Sequence, residues 1–413
     1  MNKKQQILVK ATHTQRGLSL VELLIAITLG LFLIWGVTQA FLSSKQTYRL
    51  QQGLARIQEN GRLAQEFMGY DIRNAGDYGC GNGDNFIRGA SDIRNDLPVQ
   101  SPALPACNTS PYGTPGINMI TATTSIDNDY VYAVYGFDGG DTAAPSSVDP
   151  ATGTLTTNSG TTKVLPTPYP KANTDVLMVQ TSASLGVLTS SEGGLLPAAL
   201  TQVTTLPLSK SLATAVPAGT SVAVSDCATT KIYVVDAAAV NAASITPTAS
   251  AGSNYCTYAG FLAGASVRQL TTVYYYIAQS SAGAGVYSLY KYDSVNGAQE
   301  LLQGVDDMQL KFGVDTNGDG VVDVWRDPTN VSAAEWDGWD WNYTTSTKDP
   351  NLVRAVRYSL LLRSEDNVLS AEQTIVFNGT TLYGGATTAG SGDHRLRQVF
   401  TSTVGIRSRV IAP

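Results

Sequence analysis

The most chemically suggestive run in this chain is Asp315-Thr316-Asn317-Gly318-Asp319-Gly320-Val321-Val322-Asp323. Oxygen-bearing side chains alternate at Asp315, Asn317 and Asp319, Gly320 permits a sharp turn, Val321 offers its carbonyl, and Asp323 completes the set. This is the opening of a D-x-[DN]-x-[DN]-G calcium loop. Ca2+ takes roughly six to eight hard oxygens, and three carboxylates within one short loop repel each other without a cation. Position twelve is Arg326, where a helix-flanked calcium sensor carries a bidentate Glu; Asp327 is the nearest substitute. The flanks read as strand and loop, as in the calcium loops of extracellular proteins. The plainer reading of the same residues is an Asp/Asn/Gly turn between strands. The spacing leads us to expect a structural Ca2+ that orders a surface loop.

Trp325, Trp336, Trp339 and Trp341 sit in and just after this loop, interleaved with Asp327, Glu335, Asp337 and Asp340. Exposed, they would form a surface for a partner protein or a sugar; folded back, they form a small core of their own, which is the preferred reading. Little else points to catalysis. The only histidines are His13 and His394, and no nucleophile motif is present, so the chain reads as a non-enzyme. A net charge of −6 argues against direct nucleic-acid binding. Charged residues make up only 15% of the 413, against roughly a quarter in an average soluble protein, and 39 glycines favour short strands and many turns.

The elements that must carry these residues begin with the N-terminus. Residues 1–17 hold Lys3, Lys4, Lys10 and Arg16 and no acid, and Leu18 to Leu42 follow with Glu22 as the one ionisable side chain. Those 25 residues exceed the roughly 20 needed to span a bilayer. The basic flank predicts a cytoplasmic N-terminus with the bulk of the chain outside. The run Arg16-Gly17-Leu18-Ser19-Leu20-Val21-Glu22 resembles the processing site of type IV prepilins, although that family more often has Phe at the position of Leu18. The resemblance implies that a prepilin peptidase cuts after Gly17 and methylates the amine of Leu18. It also implies that Glu22 pairs with a neighbouring subunit's N-terminal amine during assembly. Loss of the leader removes four cations, leaving 23 Lys plus Arg against 33 acids, a net −10.

Beyond the span, Leu50, Leu54, Ile57, Gly61, Ala64 and Met68 recur at helical spacing, and Asn74-Ala75-Gly76 supplies a stop. Strand-like runs follow at Tyr130–Phe137, Asp175–Thr181, Ser221–Val224 and Ile232–Val235. A denser series comes later, at Val267–Ala278, Val286–Asp293, Met308–Val314, Val353–Arg363, Gln373–Phe377 and Leu396–Arg407. The Thr/Ser/Ala/Gly-rich stretches 141–163 and 183–220 read as loops or edge decorations rather than a second hydrophobic core. A long helix followed by a mainly antiparallel sheet gives an α+β class. The expected organisation is leader 1–17, helix 18–76, a loop-rich β region 77–265, and a C-terminal sheet region 266–413 with the calcium-type loop.

Asp71–Cys80, Val286–Asp293, Leu301–Asp315, Arg354–Ser364 and Arg395–Arg407 are similar to the PilW family of type IV minor pilins. That resemblance implies a pilin-like fold and a role in priming pilus assembly as part of a tip complex, in support of twitching motility, adhesion or DNA uptake. It implies partners too: other minor pilins, the major pilin, a large tip adhesin and the prepilin peptidase. The chain would sit in the inner membrane before assembly and at the pilus tip afterwards. The alternatives are a type II secretion minor pseudopilin, or a tip adhesin or carbohydrate-binding module carrying the Trp cluster. In such an oxidising location Cys80, Cys107, Cys227 and Cys256 would form disulfides. Three connectivities are open, and the nearest-neighbour pairing, Cys80–Cys107 and Cys227–Cys256, is the one expected. A zinc site is disfavoured because no C-x2-C pair exists.

Overall fold

The computed structural model describes residues 19–79, 132–140, 146–158, 160, 162–189, 205–212, 215–225, 230–235, 243–246, 263–332, 335–336, 341–342, 347–348, 352–373, 375–377, 381–383 and 393–409. Its first element is one 54-residue helix, α1 (Leu20–Arg73), in which Glu22 occupies the first turn. The apolar run and the amphipathic run are thus continuous. None of the most apolar 18-residue window is buried, whereas Gly53, Ile57, Gly61, Ala64, Met68 and Ile72 are. Those six lie three or four residues apart, a single stripe down one face. The helix ends where the sequence predicts: Asn74 caps it through bonds to Tyr70 and Ile72 carbonyls, and Gly76 takes φ +68° as its N–H bonds to the Gln180 carbonyl.

Two antiparallel sheets receive that stripe. The larger contains β1 (Val134–Phe137), β2 (Val176–Val187), β3 (Ser221–Ser225), β4 (Thr230–Val234), β5 (Ser266–Gln279), β6 (Tyr287–Asp293) and β7 (Gly297–Gln303). Its spine is β1-β2-β5-β6-β7; β3 pairs with the start of β5, where β6 has not yet begun, and β4 pairs with β3. The smaller sheet runs in the order β9-β8-β10-β11, from β8 (Val305–Asp315), β9 (Val324–Arg326), β10 (Leu352–Asn367) and β11 (Arg395–Gly405). Helix α1 lies chiefly on β10 and β11 and reaches β2 at its end.

The tyrosine-rich strand β5 follows from period-2 geometry. Tyr275 points to the helix, while Tyr274 and Tyr276 pack on Tyr292 and Tyr290 of the adjoining strand on the other face, with centroids 6.0 and 5.7 Å apart. All three are fully buried. The strands expected at Tyr130–Phe137, Asp175–Thr181, Ser221–Val224 and Ile232–Val235 correspond to β1, β2, β3 and β4, all in the larger sheet. One expectation is corrected. The 183–220 region contributes to a second hydrophobic cluster, in which Leu188, Leu206, Leu208, Leu212 and Val216 pack with Val222, Val224, Val235, Ile245 and Val267. Isolated leucines and valines among Thr and Ser gave no periodic signal, because the residues that meet come from six separate segments.

Two predictions arise here. A Cβ on Gly61 would lie 2.5 Å from the Phe400 ring of β11, so Gly61→Ala should destabilise the docked helix by about 1–3 kcal/mol in chemical denaturation. A larger residue such as Leu should release the helix. The second concerns Glu300 on β7, which accepts from Ser280 Oγ, Ser288 Oγ and the Ser281 N–H. Burial works to raise its pKa, but those bonds outweigh it and hold the carboxyl at about 2, below its ordinary 4.5. A depressed folded pKa gives stability that is present above 4.5 and lost as pH falls toward 2. An acid titration of Glu300→Gln should therefore show a flatter stability curve in that window than the wild type.

Candidate functional site: the anchoring helix, its clamp and the acidic loop

The two ends of α1 are built for different surroundings. At the N-terminal end Leu20, Leu24, Phe32, Ile34, Trp35 and Phe41 are all more than half exposed. Glu22 is exposed among them and has no ion-pair partner among the described residues. Its place in the first turn suits the positive end of the helix dipole. Gly17 and Leu18, the expected processing pair, lie outside the described residues.

The C-terminal end is clamped by polar bonds that periodicity does not reveal. Buried Asp71 accepts from Tyr275 Oη at 2.6 Å and from Lys291 Nζ at 2.8 Å. Burial, then the Asp71 carboxylate, pushes the Tyr275 hydroxyl far above its ordinary value, so it stays a donor. Asp77 bonds Arg268 Nη2 at 2.9 Å, and Arg268 Nε reaches Ser182 Oγ at 2.9 Å. Asn60 Nδ2 donates to the Gln303 carbonyl, Arg56 pairs with Glu365, and Ser408 Oγ donates to the Ala75 carbonyl. The helix end is therefore fixed to both sheets and to the C-terminal 3-10 turn, Arg407–Arg409.

The 315–323 loop forms the tight turn its sequence calls for, with Gly318 and Gly320 at φ +81° and +91°. Its carboxylates are spent inward. Asp315 Oδ1 accepts from the N–H groups of Asn317 and Gly318, and Oδ2 from Gly320 N–H and Arg354 Nε, the last at 2.6 Å. Asn317 Oδ1 and Asp319 Oδ1 accept from the N–H groups of Asp319 and Val321. Asp323 Oδ2 accepts from Thr316 N–H and Oγ1. Burial tends to raise the Asp315 pKa, but the Gly320 N–H and the Arg354 guanidinium hold it below the usual range. Asp327, the substitute ligand at the loop's end, is taken by Lys311 at 2.8 Å, and Arg326 pairs with Glu335. Among the described residues no three acids, histidines or cysteines converge as a metal shell. Arg354 occupies one oxygen of Asp315, so a cation bound at that atom would have to displace the guanidinium.

Trp336 follows the preferred folded-back reading and not the partner-surface one, but it joins the main core: it is fully buried, stacked on Tyr135 at 4.5 Å and edge-on to Phe312 at 4.6 Å. Trp325 is half-buried under the Arg357 guanidinium, 3.8 Å from its ring centroid. Trp341 begins a two-residue strand paired with Thr347–Lys348, and Trp339 lies outside the described residues. Cys80, Cys107, Cys227 and Cys256 also lie outside them.

The electrostatics of the loop can be tested directly. Arg354→Met leaves Asp315 buried without its charge partner and should cost about 3–5 kcal/mol, with millimolar Ca2+ restoring part of the loss. Wild-type thermal melts should coincide in EDTA and in Ca2+.

Comparison with known proteins adds two family matches to this geometry. Residues 274–408 match the family described as Type IV Pilus-assembly protein W, and residues 12–38 match the Prokaryotic N-terminal methylation motif. No curated protein and no solved structure matches the chain. The first match covers β6–β11 and most of the residues that hold α1 in place, and the second covers the processing site and the exposed apolar half-helix. The match to Type IV Pilus-assembly protein W, behind a match to the prokaryotic N-terminal methylation motif, supports a type IV pilus-related pilin.

Proposed function

We propose that this chain is a minor pilin that helps prime assembly of the type IV pilus and forms part of its tip complex. The observation that carries the reading is the division of α1. One half is locked to the sheets by a buried stripe and the Asp71 clamp, and the other is an apolar rod that none of the described residues covers. Such a rod needs a bilayer before assembly and neighbouring helices afterwards. The chain sits first in the inner membrane, N-terminus in the cytoplasm, and reaches the pilus tip after cleavage between Gly17 and Leu18. Its partners are the prepilin peptidase, other minor pilins, the major pilin and a large tip adhesin; twitching motility, adhesion and DNA uptake depend on it indirectly. Pairing of Cys80 with Cys107 and Cys227 with Cys256 would brace the loop-rich region in the oxidising compartment, and peptide mapping without reductant reads that connectivity. No catalytic step belongs to this reading. The burial of Trp336 weighs against a tip lectin built on the whole Trp cluster.

The test is complementation of a strain lacking the protein, with surface filaments counted by electron microscopy and sheared filaments probed for the chain. Few pili, restored by wild type and not by Glu22→Ala, is the expected result. Normal pili with lost attachment would instead assign an adhesin. Normal pili with a secretion defect would assign a type II secretion pseudopilin.

A further inference from the structure

Charge along α1 is asymmetric in a way the span and the clamp leave unused. From Leu23 to Gln58 the sequence contains no acid, and its cations are Lys45, Arg49 and Arg56. Arg56 is taken by Glu365. Lys45 and Arg49 are exposed and have no ion-pair partner among the described residues, and Tyr48 between them is 65% exposed. At 1.5 Å per residue these side chains begin about 4–10 Å beyond Leu42, the end of the apolar run. That is the level of lipid headgroups on the outward side, where amphipathic aromatic rings also settle.

The domain side of this segment is accounted for. Ser43, Gln46, Thr47 and Leu50 face Val368, Leu369 and Ser370 across a shallow groove. On a helix of 3.6 residues per turn, Lys45, Tyr48, Arg49 and Gln52 fall on the opposite side. Cations directly outside a span also oppose the usual charge bias, which the leader's four cations must outweigh. At that depth such cations face the phosphates of the headgroup region.

We propose that Lys45 and Arg49, flanking Tyr48, form a cuff that binds the phosphates of anionic phospholipids in the outward leaflet. The cuff would fix the depth of α1 before assembly. This inference rests on the membrane-anchored reading above. Each basic side chain near an anionic surface contributes about a fivefold preference at low ionic strength, and added salt screens it.

The experiment reconstitutes the full chain in phosphatidylcholine vesicles containing a trace of spin-labelled phosphatidylglycerol or spin-labelled phosphatidylcholine. Electron paramagnetic resonance reads the motionally restricted fraction of each. Wild type should restrict phosphatidylglycerol preferentially, with the preference falling as salt rises. K45Q/R49Q, of unchanged circular dichroism, should lower that preference about fivefold or more. Equal restriction of the two lipids by wild type, or an undiminished preference in K45Q/R49Q, overturns the cuff while leaving the anchor intact. Restriction of neither lipid overturns the anchor itself, and the cuff with it.

Discussion

A helix of 54 residues is about 80 Å long, and two small sheets cannot cover it. That mismatch organises the molecule. The sheets cover the stretch from Gly53 to Ile72, using glycines where side chains press onto the helix: Gly53 against Ser364 and Val368, Gly61 under Phe400. Beyond that stretch the helix must find its environment elsewhere. The half that meets the sheets is amphipathic and the half that does not is almost uniformly apolar, so the sequence changes character where the cover ends. The polar clamp at Asp71 then prevents the helix from sliding along a stripe whose glycines and alanine alone offer few fixed points.

Buried charge sets the register of the rest. Asp306 pairs with Arg363 and Arg397, Arg397 also forks onto Asp393, and Asp315 pairs with Arg354. Apart from the local Arg397–Asp393 fork, each pair joins strands distant in sequence: β8 to β10 or β8 to β11. Buried ion pairs add little net stability compared with apolar packing, yet removing one partner is costly. Their effect is to penalise wrong strand pairings, because a slip of one residue would strand a charge. Asp175 is the exception. Burial first, and Asp138 next, push its carboxyl well above the usual range, while N–H groups of Leu310 and Gly139 hold its oxygens. It ties β2 to β8 by hydrogen bonds rather than by charge pairing, and its proton equilibrium opposes that of Glu300.

Much of this was legible in the sequence. The span, the helix stop at Asn74–Gly76 and the later strands follow from composition and period. The segments similar to the PilW family proved to contain Asp71, Asp77, Asp306, Arg354, Arg363 and Arg397, the residues that clamp and register the fold. What periodicity could not supply was partnership. Asp71 and Lys291 lie 220 residues apart, and nothing local in either marks the other. The acidic loop shows the limit most clearly. Alternating Asp, Asn and Asp with a following Gly is the pattern of a cation site and equally of a self-bonded turn. Arg354, whose guanidinium takes Asp315 Oδ2, is 39 positions away on another strand. The Trp cluster was legible only in part: Trp336 is core, as preferred, but it belongs to the main core rather than to one of its own, and Trp325 lies beneath an arginine.

Taken as a minor pilin, the molecule meets a further constraint at the point of transfer from membrane to filament. Lipid tails are as apolar as leucine, so the exposed half of α1 gains little hydrophobic free energy by exchanging lipid for neighbouring helices. The choice of partner must then come from what lipid cannot satisfy. In the apolar run that is Glu22, the one ionisable group among 25 residues. Held toward the middle of a bilayer an acid of this kind costs about 3 kcal/mol, less near the interface. A cation at matching depth on a neighbour relieves that cost, whereas another apolar helix does not. Selectivity in assembly would therefore concentrate in a single carboxylate, with the apolar surface around it supplying contact but little discrimination. The rigid docking of the other half of the helix matters for the same reason, since a carboxylate can meet a cation at fixed depth only if the domain that carries it cannot slide.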